Sequence, residues 1–140
     1  MMYPAMLESF AKGADMLIDT DVLIWLFRGR GSAKRAVEKC DAVQLSAITY
    51  MELVQGMRNK DEFRSLRKTI HDHKWEILPL SENISHRATV YIENYALSDG
   101  LELADALIAA SAVESGTPLM TANVKHYKII PEMELSRYRP

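Results

Sequence analysis

The pattern that most restricts how this chain folds is an alternation. Short apolar runs end on polar residues, and each is followed by a stretch whose apolar side chains recur at helical spacing. Met16–Asp19 is the first such run, "AVQLS" (42–46) the second, "WEILPL" (75–80) the third and "PLMTA" (118–122) the fourth; a short last one is expected within "HYKIIPEMEL". Runs this short and this apolar suit strands buried on both faces. Between them, "TDVLIWLFR" reads as a short helix stopped near Gly29–Gly31, and Ser32 reads as the cap of a helix reaching Cys40. Thr49 reads as the cap of "YMELVQGMR", and Phe63, Leu66 and Ile70 mark one face of the next helix. Ser81 reads as the cap of a helix presenting Ile84, Ala88, Tyr91 and Tyr95, while "LADALIAASAVE" is apolar nearly all round, hence buried, and stops at Gly116. Strands alternating with helices predict an α/β domain with a largely parallel sheet.

At 140 residues the chain suits one domain with a real core. No apolar run approaches the roughly 20 residues a membrane span needs, and "MMYPAMLESFAKGAD" lacks the basic start and apolar centre of a signal peptide. The expectation is a cytoplasmic protein without a membrane partner. Cys40 is the only cysteine, which excludes an intrachain disulfide and a thiolate metal cage. Net charge is −2, yet residues 28–74 hold 11 Lys and Arg against 6 Asp and Glu, while the remainder holds 6 against 13. A basic middle between acidic flanks suits a protein that gathers carboxylates in one place and meets phosphates with another; a solvated helical face accounts for the basic excess equally well.

In parallel sheets, ligands bind beyond the carboxyl ends of the strands. Asp19 ends the first run, Glu52 follows the second, Asp105 opens the buried helix, and Thr121 and Asn123 follow the fourth run. All can converge on one edge. Each acid also has a local explanation: Asp21 and Asp105 suit a helix N-terminus, and Thr49-x-x-Glu52 has the spacing of a capping box. Asp105 nevertheless sits among Leu103, Ala104, Ala106, Leu107 and Ile108, with no Lys or Arg from residue 88 to 124. A charge in so apolar a helix needs a partner, and a cation from solvent is the economical one. Carboxylate oxygens without cysteine or a His cluster suit Mg²⁺, or Mn²⁺, rather than Zn²⁺. Such sites activate water and neutralise charge on a phosphodiester.

In order and spacing, "LIDTDVLI", "LSAITYMELVQG", "LADALIAASA" and "PLMTANVKHY" resemble the four signature segments of PIN-domain ribonucleases, and most closely the VapC-type toxins of toxin–antitoxin pairs. The resemblance spans about residues 16 to 136, so residues 16–140 are read as one PIN-like nuclease domain and residues 1–15 as an N-terminal extension. It implies a parallel five-stranded sheet between helices, metal-dependent endonucleolytic cleavage of RNA, a cognate antitoxin and a homodimer. Asp19, Glu52 and Asp105 fall on the family's three best-defined acids, with Asp19 and Asp105 implied as direct metal ligands and Glu52 as a ligand or orienter of the attacking water. Thr20 and Thr121 would support the site through their hydroxyls. The chain departs from the fully acidic pattern at Asn123, which is neutral, and at His126, where some relatives carry another acid; at Asp21 it carries an acid where the family more often has Asn.

Two other readings compete. "LIDTDVLI" also fits the opening motif of haloacid-dehalogenase-type phosphatases, with Asp19 as covalent nucleophile and Asp21 as acid–base residue. That family needs a buried strand before its later acidic segment, whereas "YIENYA" reads as helix, and it needs a lysine that residues 88–124 lack. The other alternative is a PIN-like binding module without catalysis. Finally, Val22–Phe27 is six consecutive apolar residues on a short helix, so Trp25, Leu26 or Phe27 is expected to face a partner unless one small domain buries them all.

Overall fold

In a computed structural model, residues 15–140 are described in full and residues 5–7 by their backbone. The expected strands form at Asp15–Ile18 (β2), Ala42–Ser46 (β3), Glu76–Leu78 (β4), Leu119–Thr121 (β5) and Glu134–Arg137 (β6). Ala5–Leu7 adds a further edge strand, β1, beside β6. The rest of the N-terminal extension, residues 1–4 and 8–14, lies outside the described residues. The sheet order is β1-β6-β5-β2-β3-β4, and every pairing is parallel. The last strand runs a little later in the chain than its sequence signal, because Val124–Tyr127 (α7) takes up part of that segment as a four-residue helix.

Helices fill every interval from β2 onward, as parallel connections require. Thr20–Phe27 (α1) and Gly31–Glu38 (α2) join β2 to β3; Ala47–Gln55 (α3) and Lys60–Asp72 (α4) join β3 to β4; Glu82–Asp99 (α5) and Leu103–Ser115 (α6) join β4 to β5. Side chains alternate across a strand, so β2 sends Leu17 into one core and Met16 and Ile18 into the other. The first core includes Ile84, Ala88 and Tyr91 of α5 with Ala106, Ile108 and Ala109 of α6. The second includes Val22 and Leu23 of α1, Ala33 and Val37 of α2, Leu53 of α3 and Leu66 of α4. The result is a helix–sheet–helix sandwich. Among the described residues no helix is long and apolar enough to cross a membrane.

Two expected caps are replaced. Ser46, not Thr49, caps α3, its hydroxyl accepting the Ile48 N–H at 3.2 Å. The chain turns helical as soon as β3 ends, which places Thr49 inside the first turn. Arg30, not Ser32, is the N-cap of α2, and Ser32 instead lies 2.8 Å from the Tyr138 hydroxyl. Ser81 caps α5 as expected, and Gly116 ends α6 at φ 66°, a left-handed conformation that glycine adopts without a Cβ penalty.

The strand order reverses between β2 and β5, since the chain moves to one side of β2 through β3 and β4 and returns to its other side at β5. That crevice, at the carboxyl ends of β2 and β5, is where such a sheet places a ligand.

Candidate active site

Asp19 follows β2 directly and is the N-cap of α1. Its Oδ1 accepts the Thr20 N–H at 2.8 Å; its Oδ2 accepts the Thr121 hydroxyl at 2.7 Å and the Tyr127 hydroxyl at 3.1 Å. The carboxylate thus sits at the base of the crevice, with donors from β2–α1, β5 and α7. It is 5% exposed, and burial followed by the charge of Asp21 pushes its carboxyl up to about 7, against the pull of those donors.

Asp21, in the first turn of α1, reaches across to the segment after β5. Its Oδ2 accepts the Ala122 N–H at 3.1 Å and the Asn123 side-chain amide at 2.8 Å, while its Oδ1 is buried without a partner. Burial raises its carboxyl above the ordinary range.

Glu52 comes from the middle of α3. Because Ser46 holds the cap, Glu52 has no capping duty; its Oε1 accepts the Thr20 hydroxyl at 2.7 Å, and that hydroxyl lies 3.0 Å from the Thr49 hydroxyl. Thr20 is therefore the link between α1 and the Glu52 carboxylate. Asp105, in the first turn of α6, is raised chiefly by burial, with the charges of Glu102 and Glu52 adding to it. Its Oδ1 accepts the Tyr127 hydroxyl at 3.4 Å, and His126 Nδ1 lies 3.4 Å from its Oδ2. Thr121 and Asn123 are joined as well, the Asn123 N–H donating to Thr121 Oγ1 at 2.9 Å.

Every site residue expected from the sequence except the three apolar ones is in this network. Tyr127 is the residue that sequence reasoning missed: fully buried, it places one hydroxyl against both Asp19 and Asp105. Burial, then the charges of Asp19 and Asp105, raise its hydroxyl well above the ordinary phenol range, so it remains a donor. The only sequence signal for it is an aromatic residue six positions after the strand-end Thr121.

The donor set fits a hard cation. Among the described residues no Lys or Arg forms an ion pair with Asp19, Asp21, Glu52 or Asp105; His126 is the one basic group in contact. Buried carboxylates raised by burial and by one another, with one oxygen unpartnered, are the arrangement a divalent ion relieves. The described residues contain no group of three or more His, Cys, Asp or Glu already gathered at metal-holding distance, so the fit rests on donor chemistry and uncompensated charge.

The three apolar candidates divide. Val22 and Leu23 are buried, and Trp25 and Leu26 are half-buried against the second core. One face of Trp25 carries the Arg30 guanidinium 4.6 Å from its ring centroid. Phe27 is exposed, as are Ile24 on the same helix, Met51 on α3 and Phe63 on α4.

The phosphatase reading loses its structural requirement: "YIENYA" lies inside α5, and no buried strand precedes the later acidic segment. Residues 16–130 match the family model described as the PIN domain. A curated relative from Rickettsia bellii, "Ribonuclease VapC", is 33% identical over 126 residues, covering 86% of this chain and 93% of its own. "Ribonuclease VapC1" of Methanocaldococcus jannaschii is 29% identical over 129 residues, covering 88% and 86%. Among solved structures, a toxin–antitoxin complex from Klebsiella pneumoniae contains a chain 32% identical, with TM-score 0.68, covering 84% of this chain and 94% of that one. DNA-bound VapBC from Salmonella typhimurium shares the fold at TM-score 0.75 and 19% identity, covering 90% and 99%. The sheet order, the acids at its switch point and these matches agree: the chain belongs to the PIN domain family.

Proposed function

We propose that this chain is a metal-dependent endoribonuclease acting as the toxin of a type II toxin–antitoxin pair. The observation that carries the reading is the convergence of Asp19, Asp21, Glu52 and Asp105 on the switch-point crevice without a compensating Lys or Arg among the described residues. Support comes also from relatives named ribonucleases and from a neighbour that is a toxin–antitoxin complex.

Asp19 and Asp105 would hold a divalent cation, Mg²⁺ or Mn²⁺. When bound, that ion supplies neutralisation of the phosphodiester's charge and acidification of a water. Thr121 and Tyr127 fix the Asp19 carboxylate, and Thr20 fixes Glu52 through Oε1, leaving Oε2 to take the proton of the attacking water. The water oxygen bonds to phosphorus as the bond to the leaving ribose oxygen breaks, and that oxygen takes a proton from solvent to leave as the hydroxyl. A single-stranded or looped RNA is the substrate that such a site, at the carboxyl edge of the sheet, would take.

Phe27, exposed on α1 together with Ile24, would receive the antitoxin. Leu97 is fully exposed and Leu103 is 68% exposed at the α5–α6 corner, which suits a homodimer.

The test pairs two substrates. Purified chain with Mg²⁺ is expected to cut single-stranded RNA and to leave p-nitrophenyl phosphate untouched. Phosphomonoester turnover without RNA cleavage would restore the phosphatase reading, and loss of neither substrate beside metal binding would leave a binding module. Expression without the antitoxin is expected to arrest growth, and the Asp19→Asn chain is expected to be tolerated.

A further inference from the structure

Asp21 carries a charge that its contacts do not require. Its Oδ2 accepts two N–H groups, from the Ala122 backbone and the Asn123 side chain. An asparagine at position 21 would accept both through its amide oxygen, so a strut between α1 and the segment after β5 needs no carboxylate. The carboxylate stands two residues after Asp19, and Asn123 ties it to the segment whose Thr121 hydroxyl binds Asp19. Asp21 Oδ1 is buried without a hydrogen-bond partner. An unpartnered buried carboxylate oxygen, on a residue joined through Asn123, Thr121 and Tyr127 to Asp19 and Asp105, is what a ligand would complete.

We propose that Asp21 is the fourth acid of the site, binding the divalent cation or its water shell through Oδ1, with Asn123 and the Ala122 amide as the clamp on Oδ2. The proposal rests on the cation-binding reading given above. It changes the meaning of Asn123: the neutral amide after β5 is not a lost acid but the partner that orients one. Asp21 and Asn123 are joined by a single hydrogen bond of 2.8 Å and together carry one charge. Exchanging the two side chains keeps that charge and that bond, with the amide now donating from α1.

Mn²⁺ binding to the metal-free full chain, followed by loss of the free-ion electron paramagnetic resonance signal, tests this without reference to RNA cleavage. Asp21→Asn is expected to keep its fold, melting in EDTA at or above the wild-type temperature because a like-charge contact is gone, and to bind Mn²⁺ at least about tenfold more weakly. The reversed pair, Asp21→Asn with Asn123→Asp, is expected to recover most of that loss. Asp21→Asn binding Mn²⁺ like wild type, while Asp19→Asn does not, overturns the role of Asp21 and leaves the metal site standing. A reversed pair that folds yet binds Mn²⁺ at least about tenfold more weakly than wild type overturns it too, whether or not Asp21→Asn alone keeps its fold. Wild-type chain that takes up no Mn²⁺ overturns the metal reading and this proposal with it.

Discussion

Tyr127 shows how much of the site depends on single hydroxyls. One O–H faces two carboxylates, and it joins Thr121 and the Thr20 amide in holding Asp19 ionised against burial. Tyr127→Phe keeps the volume and removes the donor. Hydrogen bonds to charged groups contribute about 1.5–3 kcal/mol. Urea unfolding of the metal-free chain at pH 8 is expected to show a loss of about that size. At pH 5 the loss shrinks, because a protonated Asp19 has its own hydrogen to donate. An equal loss at both pH values would mean that the tyrosine is only packing. The acids themselves were legible in the sequence, since charge in apolar surroundings without a nearby Lys or Arg is visible one-dimensionally. Tyr127 was not, because a phenol that bonds to two remote acids looks like any core aromatic until the chain is folded. Asp21 was half-legible: its oddity could be seen, but not that Asn123 stands across from it.

Among the elements, α3 decides what Glu52 is for. The spacing Thr49-x-x-Glu52 fits a capping box, and a box would have occupied the carboxylate at the helix start. Ser46 takes the cap instead, so Glu52 lies on the second turn and turns toward Thr20. Ser46 is fully buried and also receives the Ser111 hydroxyl at 3.3 Å. Replacing it by Ala removes the cap and is expected to cost about 1–2 kcal/mol in equilibrium unfolding. Thr49→Ala leaves the cap intact, so its cost must come from the buried hydroxyl beside Thr20, and the site's activity is expected to suffer more than the helix. A larger loss of helix stability from Thr49→Ala than from Ser46→Ala would restore the capping-box account. Boundaries of this kind were misread for Ser32 as well, because Ser and Thr signal a cap at several adjacent positions and only the strand end fixes which is used. The periodic helices were legible throughout: Ile84, Ala88 and Tyr91 are buried on α5, and α6 is buried on most sides, as their spacing required. The four-residue α7 is too short to carry a period, and the β1 strand too short to stand out before a partner strand is known.

For the whole molecule, the buried acids couple stability to pH. Asp19 ionises at about 7 in the folded chain and at an ordinary carboxylate value of 3.8 when unfolded, so the folded state binds the extra proton between those values. Metal-free protein is therefore expected to lose stability as pH rises from about 4 to 7 and to level off above, apart from its other groups. The raised values of Asp21 and Asp105 act in the same direction. Melting temperature against pH in EDTA reads this slope, and saturating Mn²⁺ is expected to flatten or reverse it, since a bound cation favours the ionised carboxylates. A melting temperature in EDTA that rises over that interval would contradict the burial of ionisable acids without a counter-charge. The sheet's parallel order followed from the alternation of strands and helices, and it is this order that turns four separated acids into one edge. The measurement that bears most directly on the whole account is cleavage of a labelled single-stranded RNA by the purified chain in Mg²⁺. Cutting is expected to stop in EDTA, to return with excess Mg²⁺ and to be absent from Asp19→Asn; cleavage that survives the chelator, or that Asp19→Asn retains, would contradict it.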